Sequence, residues 1–206
     1  MTKLIVQIPC LNEEETIGMT IREIPRRIAG IDSVEVLVID DGSTDQTRRA
    51  AEEAGADHII SFTNNKGLAR AFIAGIDGAL KLGADIIVNT DADNQYPGEE
   101  IPRLIAPILK QEADIVVGDR EVDTIEHFSA VKKHLQKLGS WVVRKLSNTT
   151  VPDAASGFRA YNRDAAFSLN VVSNFSYTLE TLIQAGKGNF AVGHIPIRTN
   201  HRTRPS

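Results

Sequence analysis

The sequence predicts an α/β domain in which a mainly parallel β-sheet carries helices on both faces. Two patterns lead to that expectation. Short β-rich runs alternate with helical patterns as far as Arg120, and each run is nearly continuous in apolar character, as strands buried on both faces are. No repeat, low-complexity tract or linker divides the chain, so one domain spanning residues 1–206 is expected.

The strands are expected over Lys3 to Ile8, Val34 to Ile39, His58 to Phe62, Asp85 to Thr90 and Asp114 to Gly118. The first helix is expected to start at Asn12, a residue suited to an N-cap with Glu15 three positions on, and to run toward Ala29 unless Pro25 ends it early. The second follows Ser43 or Thr44, the third spans about Gly67 to Leu82, and the fourth about Glu99 to Gln111. After Arg120 the spacing changes. Phe128, Val131, Leu135, Leu138, Val142 and Leu146 recur in steps of three or four, as one face of a helix requires.

The 206 residues are 42% hydrophobic and 24% charged, enough apolar material for one sizeable core. The single cysteine, Cys10, excludes an intramolecular disulfide framework and reads as a buried strand residue. No secretory signal opens the chain, so a reducing, cytoplasmic setting is expected. No run approaches the roughly 18 apolar residues of a membrane-spanning helix. A net charge of -4 argues against general nucleic-acid binding, but the charge is unevenly spread. No acid falls between Glu126 and Asp153, while Lys132, Lys133, Lys137, Arg144 and Lys145 do. That basic helix is either a solvated face or a surface for anionic lipid or a phosphate-bearing acceptor, with Lys133 and Lys137 as the acceptor-side residues.

Ligands of open α/β sheets bind beyond the carboxyl ends of the strands, which draws attention to polar residues that follow apolar runs. Asp91 and Asp93 stand one residue apart at such an end, where alternate side chains can converge on one ion, and Gln95 adds a neutral oxygen at the next alternate position. Oxygen ligands of this kind suit Mg²⁺ or Mn²⁺, commonly with substrate phosphates completing the shell. Asp40 and Asp41 end another apolar run and enter a turn through Gly42. A capping turn accounts for Ser43 and Thr44, whereas the two carboxylates suit hydrogen bonds to a ribose or a base.

The segments Ile8-Pro9-Cys10-Leu11-Asn12-Glu13, Val38-Ile39-Asp40-Asp41-Gly42-Ser43-Thr44-Asp45, Asn65-Lys66-Gly67, Asp91-Ala92-Asp93-Asn94-Gln95 and Ser156-Gly157-Phe158-Arg159 resemble the motifs of family-two glycosyltransferases. More narrowly the chain resembles the dolichol-phosphate mannose synthase and polyprenyl-phosphate glycosyltransferase branch. The resemblance extends from Lys3 to about Arg204. It implies a GT-A fold, a nucleotide diphosphate sugar donor, a divalent metal and a polyprenyl phosphate acceptor.

By position, the resemblance implies that Pro9, Leu11, Glu13, Ile39 and Asp41 line the nucleoside pocket and that Lys66 and Ala92 belong to the donor site. It puts Asp91, Asp93 and Gln95 about the metal and pyrophosphate. Arg120 falls where a phosphate-binding arginine is expected, the alternative being a surface salt bridge. Ser156 and Arg159 fall in an acceptor-side loop, and His201-Arg202 resembles an Asp-Arg element of a loop that closes over the donor. Leu11 stands where an aromatic residue is often found, and His201 replaces the acid. The family pattern continues past Ser206, which suggests a piece of a longer protein with a membrane-associated C-terminal segment.

A phosphate acceptor needs little help from a base, since a phosphomonoester is largely dianionic at neutral pH. A sugar hydroxyl would need one, and Asp153 is then the candidate, unless it caps a loop. Three alternatives remain: a soluble glycosyltransferase acting on a glycan or small molecule, a phosphoaccepting receiver module, and a non-catalytic nucleotide-sugar binding subunit. The receiver reading conflicts with the acidic pair following the second strand rather than the first.

Overall fold

The computed structural model describes residues 1–121, 149–172 and 177–200. Seven strands form one sheet in the order β3-β2-β1-β4-β6-β5-β7. The strands are β1 Lys3–Cys10, β2 Ser33–Asp40, β3 His58–Ser61, β4 Ile86–Asn89, β5 Ile115–Asp119, β6 Arg159–Asn162 and β7 Val192–Pro196. The helices are α1 Ile17–Glu23, α2 Thr47–Glu53, α3 Leu68–Lys81, α4 Ile101–Leu109, α5 Arg163–Ser168 and α6 Tyr177–Lys187, with a 3-10 turn at Gly98–Glu100 ahead of α4.

β1, β2, β3 and β4 run parallel, and β5 pairs parallel with β7. β6 is inserted antiparallel between β4 and β5, Val88 facing Ala160 and Ala160 facing Val116. Side chains alternate between two apolar layers as strand geometry demands. Leu4, Val6, Ile8, Val36, Val38 and Val88 pack under α1, α2 and α4. Ile5, Leu37, Ile39 and Ile87 pack under α3, α5 and α6 with Phe72, Ile76 and Tyr161.

From β1 the chain moves outward to β2 and β3, then crosses by α3 to β4 on the other side of β1. The direction of winding reverses there, which opens a crevice between the carboxyl ends of β1 and β4. The ends of β1 and β2 are level, Cys10 facing Asp40, whereas β4 ends at Asn89 opposite Gln7, three residues short of the end of β1.

Two helix starts differ from expectation. Asn12 is not an N-cap: its φ is +54°, in the left-handed region that asparagine tolerates, and α1 begins only after Thr16. The Asn12 amide oxygen accepts the Thr44 N–H at 2.9 Å, and its own N–H donates to Ser43 Oγ at 2.9 Å, so it ties the loops after β1 and β2 together. Ser43 and Thr44 are thereby used across the loop and do not start α2. Asp45 instead accepts the Thr47 N–H at 2.9 Å at the head of that helix. α1 ends at Glu23, two residues before Pro25.

Candidate functional site

Pro9, Cys10, Leu11, Glu13, Asp41, Asn65, Gly67, Leu68, Ala71, Asp91, Ala92 and Asp93 line a cleft of about 290 Å³ at the crevice. Seven residues expected in the donor site, namely Pro9, Leu11, Glu13, Asp41, Asp91, Ala92 and Asp93, thus share one cavity although they come from three separate segments. Cys10 also faces it, and burial foremost, with the Asp40 charge next, pushes the thiol far above its usual range, so it stays protonated and unreactive.

Asp41 ties the loop after β2 to the start of α3 on one wall of the cleft. Its two carboxylate oxygens accept the backbone N–H groups of Lys66, at 2.7 Å, and Gly67, at 2.9 Å, immediately before α3. The carboxylate therefore satisfies orphan donors at that helix start and interacts with its dipole. Gly42 makes the close approach possible: with φ of +78°, a Cβ there would lie 2.7 Å from backbone atoms of Asn64 and Asn65. Asp40 does the turn's capping, accepting the Ser43 N–H at 2.9 Å.

On the other wall, Asp93 accepts the Gln95 N–H at 3.0 Å. Gln95 itself is buried and does not line the cleft, so it enters the site through its backbone. Gly157 lies against Asp91: a Cβ there would sit 2.9 and 3.3 Å from the two carboxylate oxygens. Asp91 is also flanked by two buried phenols, Tyr96 and Tyr177. Burial pushes both above the usual tyrosine range, the Asp91 charge adding to the effect, so both keep their protons.

Arg120 follows β5 and makes a bidentate pair with Asp153, Nε to Oδ2 at 2.6 Å and Nη2 to Oδ1 at 2.9 Å. The side chains are only 9% and 3% exposed, so this is a buried pair rather than the surface salt bridge considered above. Burial alone would lower the Arg120 pKa. The hydrogen bond with Asp153, then the Asp153 and Asp91 charges, outweigh it and keep the guanidinium charged.

Expectations are corrected at four more residues, Ile39, Lys66, Arg159 and Ser156. Ile39 is buried in the layer under α3 and does not line the cleft. The Lys66 side chain turns away, its ammonium 4.6 Å from the Phe62 ring centroid, leaving only its backbone N–H in the site. Arg159 does not sit in an acceptor loop. It begins β6, is fully buried, and donates to the carbonyls of Ser156 at 2.8 Å, Thr178 at 2.7 Å and Ala154 at 2.7 Å and to Thr181 Oγ1 at 2.9 Å. These bonds commit its guanidinium to knitting the Ala154–Ser156 turn to α6. Ser156 is likewise buried and accepts the Phe158 N–H at 3.4 Å. Lys133, Lys137, Arg202 and the basic helix lie outside the described residues.

The Glycosyl transferase family 2 model matches residues 5–167. The chain belongs to that family. It is 28% identical over 97% of its length to the polyprenol monophosphomannose synthase of Mycolicibacterium smegmatis, 78% of which is covered. It is 31% identical to the undecaprenyl-phosphate mannosyltransferase of Micrococcus luteus, over 85% of this chain and 73% of that one. It is also 32% identical to the dolichol-phosphate mannosyltransferase of Pyrococcus furiosus, over 98% of this chain and 58% of that one. Among solved structures, glucosyl-3-phosphoglycerate synthase of Mycobacterium tuberculosis in complex with phosphoglyceric acid superposes with a TM-score of 0.77 at 25% identity, covering 99% of this chain and 73% of that chain. Another structure of that enzyme holds Mn²⁺ and uridine diphosphate. The fold is GT-A.

The cleft thus gathers the carboxylates Asp41, Asp91 and Asp93 from the ends of two strands. The sequence carries no signal that ties Tyr96 or Tyr177 to Asp91. Asn89 was detectable in principle as an amide near the end of an otherwise apolar strand.

Proposed function

We propose that this protein transfers a sugar, with inversion, from a nucleoside diphosphate sugar to a polyprenyl phosphate. One observation carries the choice of acceptor. Both oxygens of Asp153, the residue a hydroxyl acceptor would need as its base, accept hydrogen bonds from Arg120. A carboxylate whose two oxygens are both tied to a guanidinium is already engaged, whereas a phosphate dianion attacks without a base. The names of the curated relatives point the same way.

In the reaction, an acceptor phosphate oxygen forms a bond to the anomeric carbon as the bond to the β-phosphate oxygen breaks. The nucleoside diphosphate leaves with the electron pair. Asp41 fixes the Lys66–Gly67 backbone at the nucleoside end of the cleft, and Arg120 contributes positive charge near the diphosphate or the acceptor. The donor set suits Mg²⁺ or Mn²⁺: Asp91 and Asp93 offer hard oxygen ligands in the cleft. Among the described residues no group of three or more His, Cys, Asp or Glu could hold a metal, so donor phosphates would complete its shell. When bound, the ion supplies charge that stabilises the departing diphosphate.

No described helix is long and apolar enough to cross a membrane. In this reading the basic residues Lys132, Lys133 and Lys137 bring the domain to the anionic cytoplasmic surface where a lipid acceptor resides. The test is an assay of UDP- and GDP-sugars with Mg²⁺ or Mn²⁺, offered a polyprenyl phosphate on one side and sugar hydroxyl acceptors on the other. A glycosyl phospholipid is the expected product. Transfer to the hydroxyl acceptors alone would overturn the reading in favour of a soluble glycosyltransferase.

A further inference from the structure

The mechanism leaves unused a chain of buried polar groups that runs from α3 to the back of Asp91. Gln7 and Asn89 are both fully buried, on paired strands. Gln7 Nε2 donates to Asn89 Oδ1 at 2.8 Å and to the Phe72 carbonyl at 3.5 Å. Asn89 Nδ2 in turn donates to the Gly157 carbonyl at 2.8 Å and to the Tyr177 hydroxyl at 3.2 Å. A carbonyl only accepts, so Gly157 sets which way the Asn89 amide points, and Asn89 then sets Gln7.

This arrangement has a cost: Gln7 Oε1 is buried without a hydrogen-bond partner. Such a group costs about 1–3 kcal/mol. An apolar pair at positions 7 and 89 would avoid it, so packing of β1 on β4 does not explain the two amides.

What the amides do hold is the Ser156-Gly157 turn. Gly157 is trapped between the Asn89 amide and the Asp91 carboxylate, and the point where its Cβ would stand is 2.9 Å from Asp91 Oδ1 and 3.2 Å from the Tyr177 hydroxyl. The Tyr177 ring is itself fixed, stacked on Phe72 with centroids 4.1 Å apart and planes 17° apart. Because Asn89 donates to the Tyr177 oxygen, the tyrosine's own proton is directed away from Asn89.

We infer that Asn89 and Tyr177 are positioning residues for the transfer step: they clamp Gly157 against Asp91 and so fix the direction in which that carboxylate meets the donor. The inference rests on the glycosyl-transfer reading given above. It assigns the amide and the phenol no contact with the sugar. They act through Gly157 and Asp91.

Tyr177→Phe is the test, because it keeps the ring stacked on Phe72 and removes only the hydroxyl. The readouts are kcat and donor KM with polyprenyl phosphate, the affinity for UDP and GDP with Mn²⁺ by calorimetry, and the melting temperature. The expected result is a fall in kcat of about tenfold or more at saturating donor, with nucleoside diphosphate affinity and donor KM within about twofold of the parent and a cooperative thermal transition retained. Asn89→Asp, which sets a carboxylate oxygen against the Gly157 carbonyl, should lower kcat further. A merely structural role would instead weaken nucleotide affinity and stability together and leave kcat per folded molecule unchanged, which overturns the inference. Full kcat in Tyr177→Phe overturns it as well. A parent protein inactive with every donor and acceptor pair removes the transfer reading and the clamp with it, whereas an active parent with an equally active Tyr177→Phe form removes the clamp alone.

Discussion

Asp153→Ala offers the sharpest test of how the acceptor side is built. Asp153 and Arg120 are 3% and 9% exposed and joined by two hydrogen bonds of 2.6 and 2.9 Å. Removing the acid leaves a guanidinium in the interior without the Asp153 hydrogen bond that had offset its burial, and an arginine side chain does not shed its proton in proteins. Breaking a buried pair in this way costs about 3–5 kcal/mol. In a chain of this size each kcal/mol moves the melting temperature by about 2–4 °C, so the variant should melt about 6–20 °C below the parent by scanning calorimetry. Arg120→Met combined with Asp153→Leu removes both charges and should recover most of that loss, because desolvation of the pair offsets much of its attraction. The double variant should still be inactive in transfer. A melting temperature for Asp153→Ala within about 2 °C of the parent would refute the buried pair and return Asp153 to the role of a base.

Other outcomes follow from the same geometry. Asp93→Ala should abolish the metal-dependent part of nucleoside diphosphate binding while leaving the fold intact; unchanged affinity and turnover in saturating Mg²⁺ would remove it from the metal site. Asp91→Asn should be milder for nucleotide binding and severe for transfer, and activity equal to the parent would count against its assignment. Replacing Lys132, Lys133 and Lys137 by Glu should weaken sedimentation with anionic vesicles and transfer to lipid while sparing nucleotide affinity, an effect that rising salt should mimic. Glu35 is held below its usual pKa, first by the Lys3 hydrogen bond and then by that of His58. A depressed folded pKa gives stability that is present above the unfolded value of about 4.3 and lost as pH falls through the folded one. The difference in melting temperature between the parent and Glu35→Gln should therefore be largest near neutrality and shrink in acid.

The parallel half of the fold was legible because β1, the end of β2 and β4 are buried on both faces, and α3 matched its expected limits to a residue at each end, Gly67 and Leu82 serving as its caps. β6 escaped notice since its four residues begin with an arginine, and no sequence pattern reveals that α6 and the Ala154–Ser156 turn satisfy that arginine's charge. Asn12 misled for a related reason: a residue that favours helix caps also favours the left-handed turn that it adopts here. The carboxylates of the cleft were readable from their positions at strand ends. Their orienting partners were not, because Asn89, Gly157 and Tyr177 meet only through the antiparallel insertion of β6 and the docking of α6.

The bonds from Asp41 to the backbone of Lys66 and Gly67 have a consequence for traffic through the cleft. In many nucleotide-binding folds the amides at a helix start are left open and cradle phosphate. Here the two amides just ahead of α3 are taken by the protein's own carboxylate, and Glu13, Asp91 and Asp93 line the same cavity. Under the proposed reaction, a bare diphosphate is repelled at the entrance, and a donor that arrives already paired with a divalent cation is admitted. Once the sugar has left, the nucleoside diphosphate carries one more negative charge than the donor did, so the walls that accepted the substrate help to expel the product.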